Sequence, residues 1–164
     1  MTKIVAGTIL VPHDGHSMSD KALKYALDIA ESMNMRIKIV RVIDEAIDDS
    51  TMSRLRDAER QRIRKDVQLQ LAKAREQEYN KLKKQLATAN SKGVEASALV
   101  LEGDVAQKLI SIISKERPYL VVIASRKLQS RGWSKLKILG SVARKLSEES
   151  KSPLLIIKDD VESG

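Results

Sequence analysis

The sequence predicts a doubly wound α/β sandwich, and three observations carry that reading. Five short apolar runs rich in β-branched residues alternate with four segments of helical periodicity, the pattern of a sheet covered by helices on both faces. Turn and helix-start residues follow those runs, at Pro12-His13-Asp14-Gly15, Glu102-Gly103-Asp104 and Gly140-Ser141. Strands that are apolar throughout, joined through helices, pair in parallel with right-handed crossovers.

The first strand spans Ile4 to Val11 and stops at Pro12. Ser17 then caps a helix, with Asp20 three residues on, and Ala22, Leu23, Ala26, Leu27, Ile29, Ala30 and Met33 form its apolar face. Ile37, Ile39, Val40, Val42 and Ile43 give a second strand, which ends at Asp44-Glu45 and completes a βαβ unit. From about Thr51 to Asn90 the chain has no Gly or Pro and is dense in Arg, Lys, Gln, Glu, Ala and Leu. This predicts a long amphipathic helix inserted after strand two, broken near Asp49-Ser50, with Ile63, Val67, Leu71, Ala74, Leu82 and Leu86 on one stripe. Gly93 ends it and Glu95 to Leu101 is a third strand. Asp104 caps the next helix, whose inward residues are Val105, Leu109, Ile110, Ile112 and Ile113 and which Pro118 terminates. Leu120 to Ala124 is the fourth strand, a helix begins near Ser141, and Pro153 to Ile157 is the fifth strand.

A chain of 164 residues with 42% hydrophobic composition buries one sizeable core, so a single domain over residues 1–164 is expected. The absence of cysteine excludes disulfides and thiolate metal sites, and His13 and His16 alone are too few for a convincing metal centre. No stretch has the length of a membrane span and the first residues lack a cleavage pattern, so a soluble cytoplasmic protein without membrane contact is expected. The net charge of +8 is concentrated: Arg54 to Lys84 holds eleven Lys/Arg against five Asp/Glu, a net +6. With no Phe, one Trp and three Tyr, the chain lacks the interleaved aromatics that stack single-stranded bases.

In a doubly wound sheet, ligands bind beyond the carboxyl ends of the strands, where the strand order reverses. Pro12-His13-Asp14, Val42-Ile43, Glu102-Gly103-Asp104 and Ser125-Arg126-Lys127 end the first four strands and gather on that edge with Gly140-Ser141. An acid that accepts from adenine or ribose, an apolar wall, and a basic loop leading to a helix N-terminus together make a nucleotide pocket. Each residue also has a plainer reading. Asp14 caps the turn before the first helix; Val42 is core wall; His13 is a hydrogen-bonded loop residue with no nucleophile beside it. Arg126, Lys127 and Arg131 form a solvated basic loop, and Trp133 packs on the sheet edge or a partner, or stacks on a base.

Several of these pieces recur together in one known family. Leu10-Val11-Pro12-His13-Asp14-Gly15 with Ser19 and Ala22, Arg41-Val42-Ile43-Asp44-Glu45, Glu102-Gly103-Asp104, Leu139-Gly140-Ser141-Val142 and Pro153-Leu154-Leu155-Ile156-Ile157 are each short, but their order and spacing are specific. From near Thr8 through Lys158, the long helix aside, the chain resembles the universal stress protein family. The resemblance implies a five-stranded parallel sheet in order 3-2-1-4-5 and dimerisation through the last strand. It also implies ATP or another adenine nucleotide as ligand, with Mg2+ only alongside ATP. Members that bind ATP hold adenine near the residues matching Asp14 and Val42, and phosphates on a Gly-x-x-Gly loop followed nine residues later by Gly-Ser. The implied binding set is Pro12, His13, Asp14, Val42, Gly103, Ser125, Arg126, Lys127, Gly140, Ser141 and Val142. The loop departs from the pattern: counting back from Gly140 puts Lys127 and Ser130 at the glycine positions, and anchoring on strand four puts Ser125 and Leu128 there. Side chains in those places reshape a backbone cradle, while Gly132 offers a displaced substitute and Arg126, Lys127 and Arg131 offer cations instead.

The leading expectation is a dimeric, stress-response adenine nucleotide sensor or scaffold. No triad, metal cluster or paired carboxylates would drive turnover, so hydrolysis of ATP should be slow and incidental. A second reading keeps the fold without the nucleotide and uses the basic helix to contact nucleic acid or an acidic partner. A third, a phosphatase or nucleotide-handling enzyme, has least support. The long helix itself reads as a lid, a dimer-docking surface or a projecting arm.

Overall fold

The computed structural model describes residues 7–44, 52–125 and 140–158. Within them β1 (Thr8–Pro12), α1 (Ser17–Met33), β2 (Arg36–Ile43), α2 (Asp57–Ser91), β3 (Ala96–Glu102), α3 (Val105–Glu116), β4 (Leu120–Ser125), α4 (Ser141–Glu149) and β5 (Leu154–Lys158) follow in order. The strands form one sheet in the order β3-β2-β1-β4-β5, every pair parallel.

Alternation along each strand divides the core in two. Ile9 and Val11 of β1, Ile37 and Ile39 of β2, Val122 of β4 and Ile157 of β5 face one side, where Ala22, Leu23, Ala26, Leu27 and Ala30 of α1 and Leu82 and Ala89 of α2 cover them. Leu10, Val40, Val42, Val121 and Ile123 face the other, under Leu109, Ile112 and Ile113 of α3 and Ala143 and Leu146 of α4. The central strands are therefore apolar on both faces, as parallel strands beneath two helical layers must be.

The elements fall close to the sequence reading, with local differences. Ser17 is the first residue of α1 and not its cap: His16 holds that position without a side-chain bond, because Gly15 (φ +87) makes the bend and Asp14 supplies the acceptor for the His16 N–H at 3.0 Å. Met33, expected on the apolar face of α1, is 43% exposed at the helix end. Asp104 does cap α3, accepting from the Gln107 N–H at 2.8 Å. Gly93 (φ +70) follows α2, its N–H bonded to Asn90 O at 3.0 Å. The expected break near Asp49-Ser50 and the start of strand one before Gly7 lie outside the described residues.

The long helix is one element but not uniformly amphipathic in effect. Only Leu82 and Ala89 are buried, and Leu86 packs beside them. Ile63, Val67, Leu71 and Ala74 are half-buried. The reason is geometric: Arg75 already reaches Glu102, at the carboxyl end of β3, with N–O 3.6 Å. At 1.5 Å per residue, Asp57 to Ala74 runs on past that edge for about 27 Å. The C-terminal half of α2 is thus a core helix and its N-terminal half an extension beyond the sheet.

Truncating a side chain in the docked half should be far more damaging than truncating one in the extension. Leu82→Ala, at a site 3% exposed, is expected to lower unfolding free energy by about 3 kcal/mol in urea denaturation. Leu69→Ala, 59% exposed, should stay within about 0.5 kcal/mol of the parent.

Candidate functional site

The carboxyl edge opens between β1 and β4, where the chain turns to opposite sides of the sheet. A cavity of about 200 Å³ lies there, lined by Pro12, His13, Asp14, Ser19, Val40, Arg41, Val42, Val105, Leu109, Ile123 and Val142. Its wall is chiefly aliphatic, contributed by β2, α3, β4 and α4, and its polar residues come from the turn after β1, the first turn of α1 and Arg41 of β2. A flat, weakly polar ring fits such a wall.

The turn is tightly organised. Pro12 closes β1, and the His13 N–H donates to Val40 O at 2.8 Å, extending the β1–β2 ladder by one residue. The Asp14 Oδ1 accepts from the Ser19 hydroxyl at 2.7 Å and from the His16 N–H at 3.0 Å, while the Asp14 N–H donates to Ser19 Oγ at 3.2 Å. Asp14 is therefore both a turn-capping residue and a fixed carboxylate at the cavity mouth. His13 is 4% exposed, and both ring nitrogens are engaged: Nδ1 accepts the Gly15 N–H at 3.1 Å, and Nε2 lies 2.8 Å from Asp20 Oδ1. Its imidazole serves the turn rather than a ligand.

Of the residues expected to bind, Pro12, His13, Asp14, Val42 and Val142 share this cavity. Gly103 (φ +127) ends β3, its N–H bonded to Ile43 O at 2.9 Å, and does not line it. Ser125 is buried at the end of β4, where its Oγ accepts the Gly140 N–H at 3.2 Å. That bond sets the start of α4 against the switch point. Gly140 is the N-cap with no side-chain bond, so the first-turn N–H groups of Ser141 and Val142 lack an intrahelical partner and face the end of the helix. Arg126 and Lys127, with Arg131, Trp133 and the glycine-substituting positions Ser130 and Leu128, lie outside the described residues. Ser19, Val40, Arg41, Val105, Leu109 and Ile123 were not expected at the site. The signal of Val40, Val105, Leu109 and Ile123 was hidden because an apolar residue that walls a cavity has the same periodicity as one that fills a core. Among the described residues no group of three His, Cys, Asp or Glu side chains is placed to hold a metal.

Set against known proteins, the match is broad. A model of the universal stress protein family covers residues 6–158. The chain belongs to the universal stress protein family. It is 30% identical over 162 residues to the universal stress protein YxiE of Bacillus subtilis, spanning 92% of this chain and 97% of that one. Its fold is similar to that of the universal stress protein UspA from Lactobacillus plantarum, with TM-score 0.69, 13% identity, and 94% and 99% of the two chains covered. It is also similar to a universal stress protein from Archaeoglobus fulgidus solved in complex with dAMP, with TM-score 0.60, 15% identity, and 94% and 100% covered. The strand order 3-2-1-4-5 is the universal stress fold, here carrying the long α2 after β2.

Two ion pairs bind α2 to the same edge. Arg41, whose position on β2 shares the α1–α2 side with Ile37 and Ile39, donates from Nε to Glu78 at 3.1 Å, and Arg75 approaches Glu102. A hydrogen bond from Lys81 at 2.7 Å, opposed by burial and reinforced by Arg41, holds the Glu78 carboxyl below its ordinary value of 4.5. A carboxyl with depressed folded-state pKa stabilises the fold fully above its unfolded value and loses that contribution as pH falls through the folded one. Glu78→Gln should therefore cost about 1 kcal/mol near neutral pH. The difference from the parent should shrink progressively below about pH 4.5, read as urea midpoints across an acid series.

Proposed function

We propose that this protein binds an adenine nucleotide at the β1–β4 switch point and works as a cytoplasmic, dimeric sensor or scaffold in the stress response. The observation that carries the reading is the joining of a fixed carboxylate, Asp14, to an aliphatic slot that includes Val42 and Val142. The slot takes the base by apolar contact, and Asp14 accepts from the base or ribose. The phosphates point to the N-terminus of α4, where the first-turn N–H groups of Ser141 and Val142 have no intrahelical partner and the helix dipole favours anions. Arg126 and Lys127 add cationic side chains from the loop before it, and Mg2+ accompanies the ligand only when that ligand is ATP. The relative solved with dAMP supports an adenine ligand for this fold. β5 is an edge strand, the surface through which a second copy would pair.

The alternative, a nucleic-acid-binding basic helix, is less well served. Arg62, Lys65 and Lys73 share the outward side of α2 with Glu59, Asp66 and Glu76, so the cations form no segregated surface. Both nitrogens of the His13 ring are committed, to Gly15 and Asp20, which leaves it no free nitrogen to act as a base and is in keeping with hydrolysis that is at most slow and incidental.

Calorimetric titration of ligand-stripped protein with AMP, ADP and ATP tests the reading. Saturable binding is expected, weakened about tenfold or more by Asp14→Ala, since a hydrogen bond to a charged group contributes about 1.5–3 kcal/mol. Binding that survives the substitution unchanged, or no binding at all, would overturn it.

A further inference from the structure

The turn that presents Asp14 is tied to the long helix by a continuous chain of hydrogen bonds. The Gly15 N–H donates to His13 Nδ1 at 3.1 Å, which leaves the ring proton on Nε2, 2.8 Å from Asp20 Oδ1 on α1. The same Oδ1 accepts from Gln85 Nε2 of α2 at 3.1 Å. Burial opposes ionisation of Asp20, yet the hydrogen bonds from His13 and Gln85, helped by the nearby Lys84, hold its carboxyl below the ordinary value of 3.8. Asp20 is thus a charged acceptor shared between the pocket turn and α2.

Gln85 is held in a costly way. Among the described residues its buried Oε1 meets no hydrogen-bond donor, and turning the amide over would relieve that atom only by setting the carbonyl against the Asp20 carboxylate. An aliphatic side chain on this half-buried stripe would avoid the orphaned carbonyl altogether. The amide is explained by its bond to Asp20, and that bond leads to the pocket. Gly15 (φ +87) has no Cβ to brace its backbone, so the His13 contact adds to the bonds from Asp14 to His16 and Ser19 in fixing the turn.

We propose that Gln85 is a positioning residue for the candidate pocket: acting through Asp20 and His13, it fixes the Gly15 backbone and with it the Asp14 carboxylate, so that docking of α2 and ligand binding are coupled. This rests on the nucleotide reading above. Coupling of this kind is reciprocal, so a bound nucleotide tightens the α2 contact as much as the α2 contact tightens the nucleotide. The universal stress fold here carries an output element whose docked half senses the pocket from the opposite face of the sheet.

The test compares AMP affinity in the parent, Gln85→Met, Asp20→Asn and Lys92→Gln. The last breaks the 3.5 Å pair between Lys92 and Asp28, another α2–α1 contact, without touching the chain. Gln85→Met and Asp20→Asn should each weaken AMP about fivefold, the low end of typical coupling, with Lys92→Gln unchanged. The His13 ring nitrogen resonances, assigned by 15N NMR in the free protein, should show an Nε2–H tautomer in the parent and lose that definition in the two variants. A merely structural glutamine would alter stability and leave those resonances alone. Asp20→Asn keeps the test open should Gln85→Met not fold. Unchanged affinity and unchanged ring signals in both variants overturn the positioning role and leave the nucleotide reading standing. If the parent itself binds no AMP, the nucleotide reading falls and this inference with it.

Discussion

The constraint on which the rest of the molecule depends is the burial of the sheet on both faces. Once Ile9 and Val11 face one helical layer and Leu10 faces the other, strand side chains are committed to packing, and chemistry is displaced to the strand ends. Because β1 stands at the centre of the order β3-β2-β1-β4-β5, the chain leaves its neighbours in opposite directions there. The gap this leaves is where Pro12, Asp14, Ile123 and Val142 meet. The pocket is a consequence of topology, and only its lining is a matter of particular residues.

Much of this was legible in the sequence for a physical reason: strands buried on both sides must be apolar throughout, and residues such as Ile37 to Ile43 or Leu120 to Ala124 have no other reading once turns bound them. Asp104 was legible as a cap because it stands immediately before the apolar periodicity of the helix it begins. Ser17 misled because the acceptor for the turn is Asp14, two residues before the His16 N–H, with the bend made at Gly15. The stripe on α2 was read as one face needing cover, yet where it is covered depends on the length of β3, a tertiary fact. At the site, Asp14, Val42 and Val142 were visible through motif spacing. The aliphatic wall of Val105, Leu109 and Ile123 was not, since a cavity wall and a core look alike in one dimension.

The long helix α2 is divided between core and edge. Its docked half contributes Leu82 and Ala89 to the core and meets the functional edge through polar groups: Glu78 with Arg41, Arg75 with Glu102, and Gln85 with Asp20. Exposed polar contacts contribute little individually, but these gather along the carboxyl edge of the sheet, at the ends of β2 and β3 and on the first turn of α1. The half that extends beyond the sheet is rich in arginine and has no such attachment in the core.

The most direct measurement is the mapping of AMP-induced amide shifts on uniformly 15N-labelled protein. The account predicts shifts concentrated at Asp14, Val42, Ser141 and Val142, with smaller ones reaching Gln85. Shifts confined to the arginine-rich half of α2, or a spectrum unaltered by saturating AMP, would contradict it.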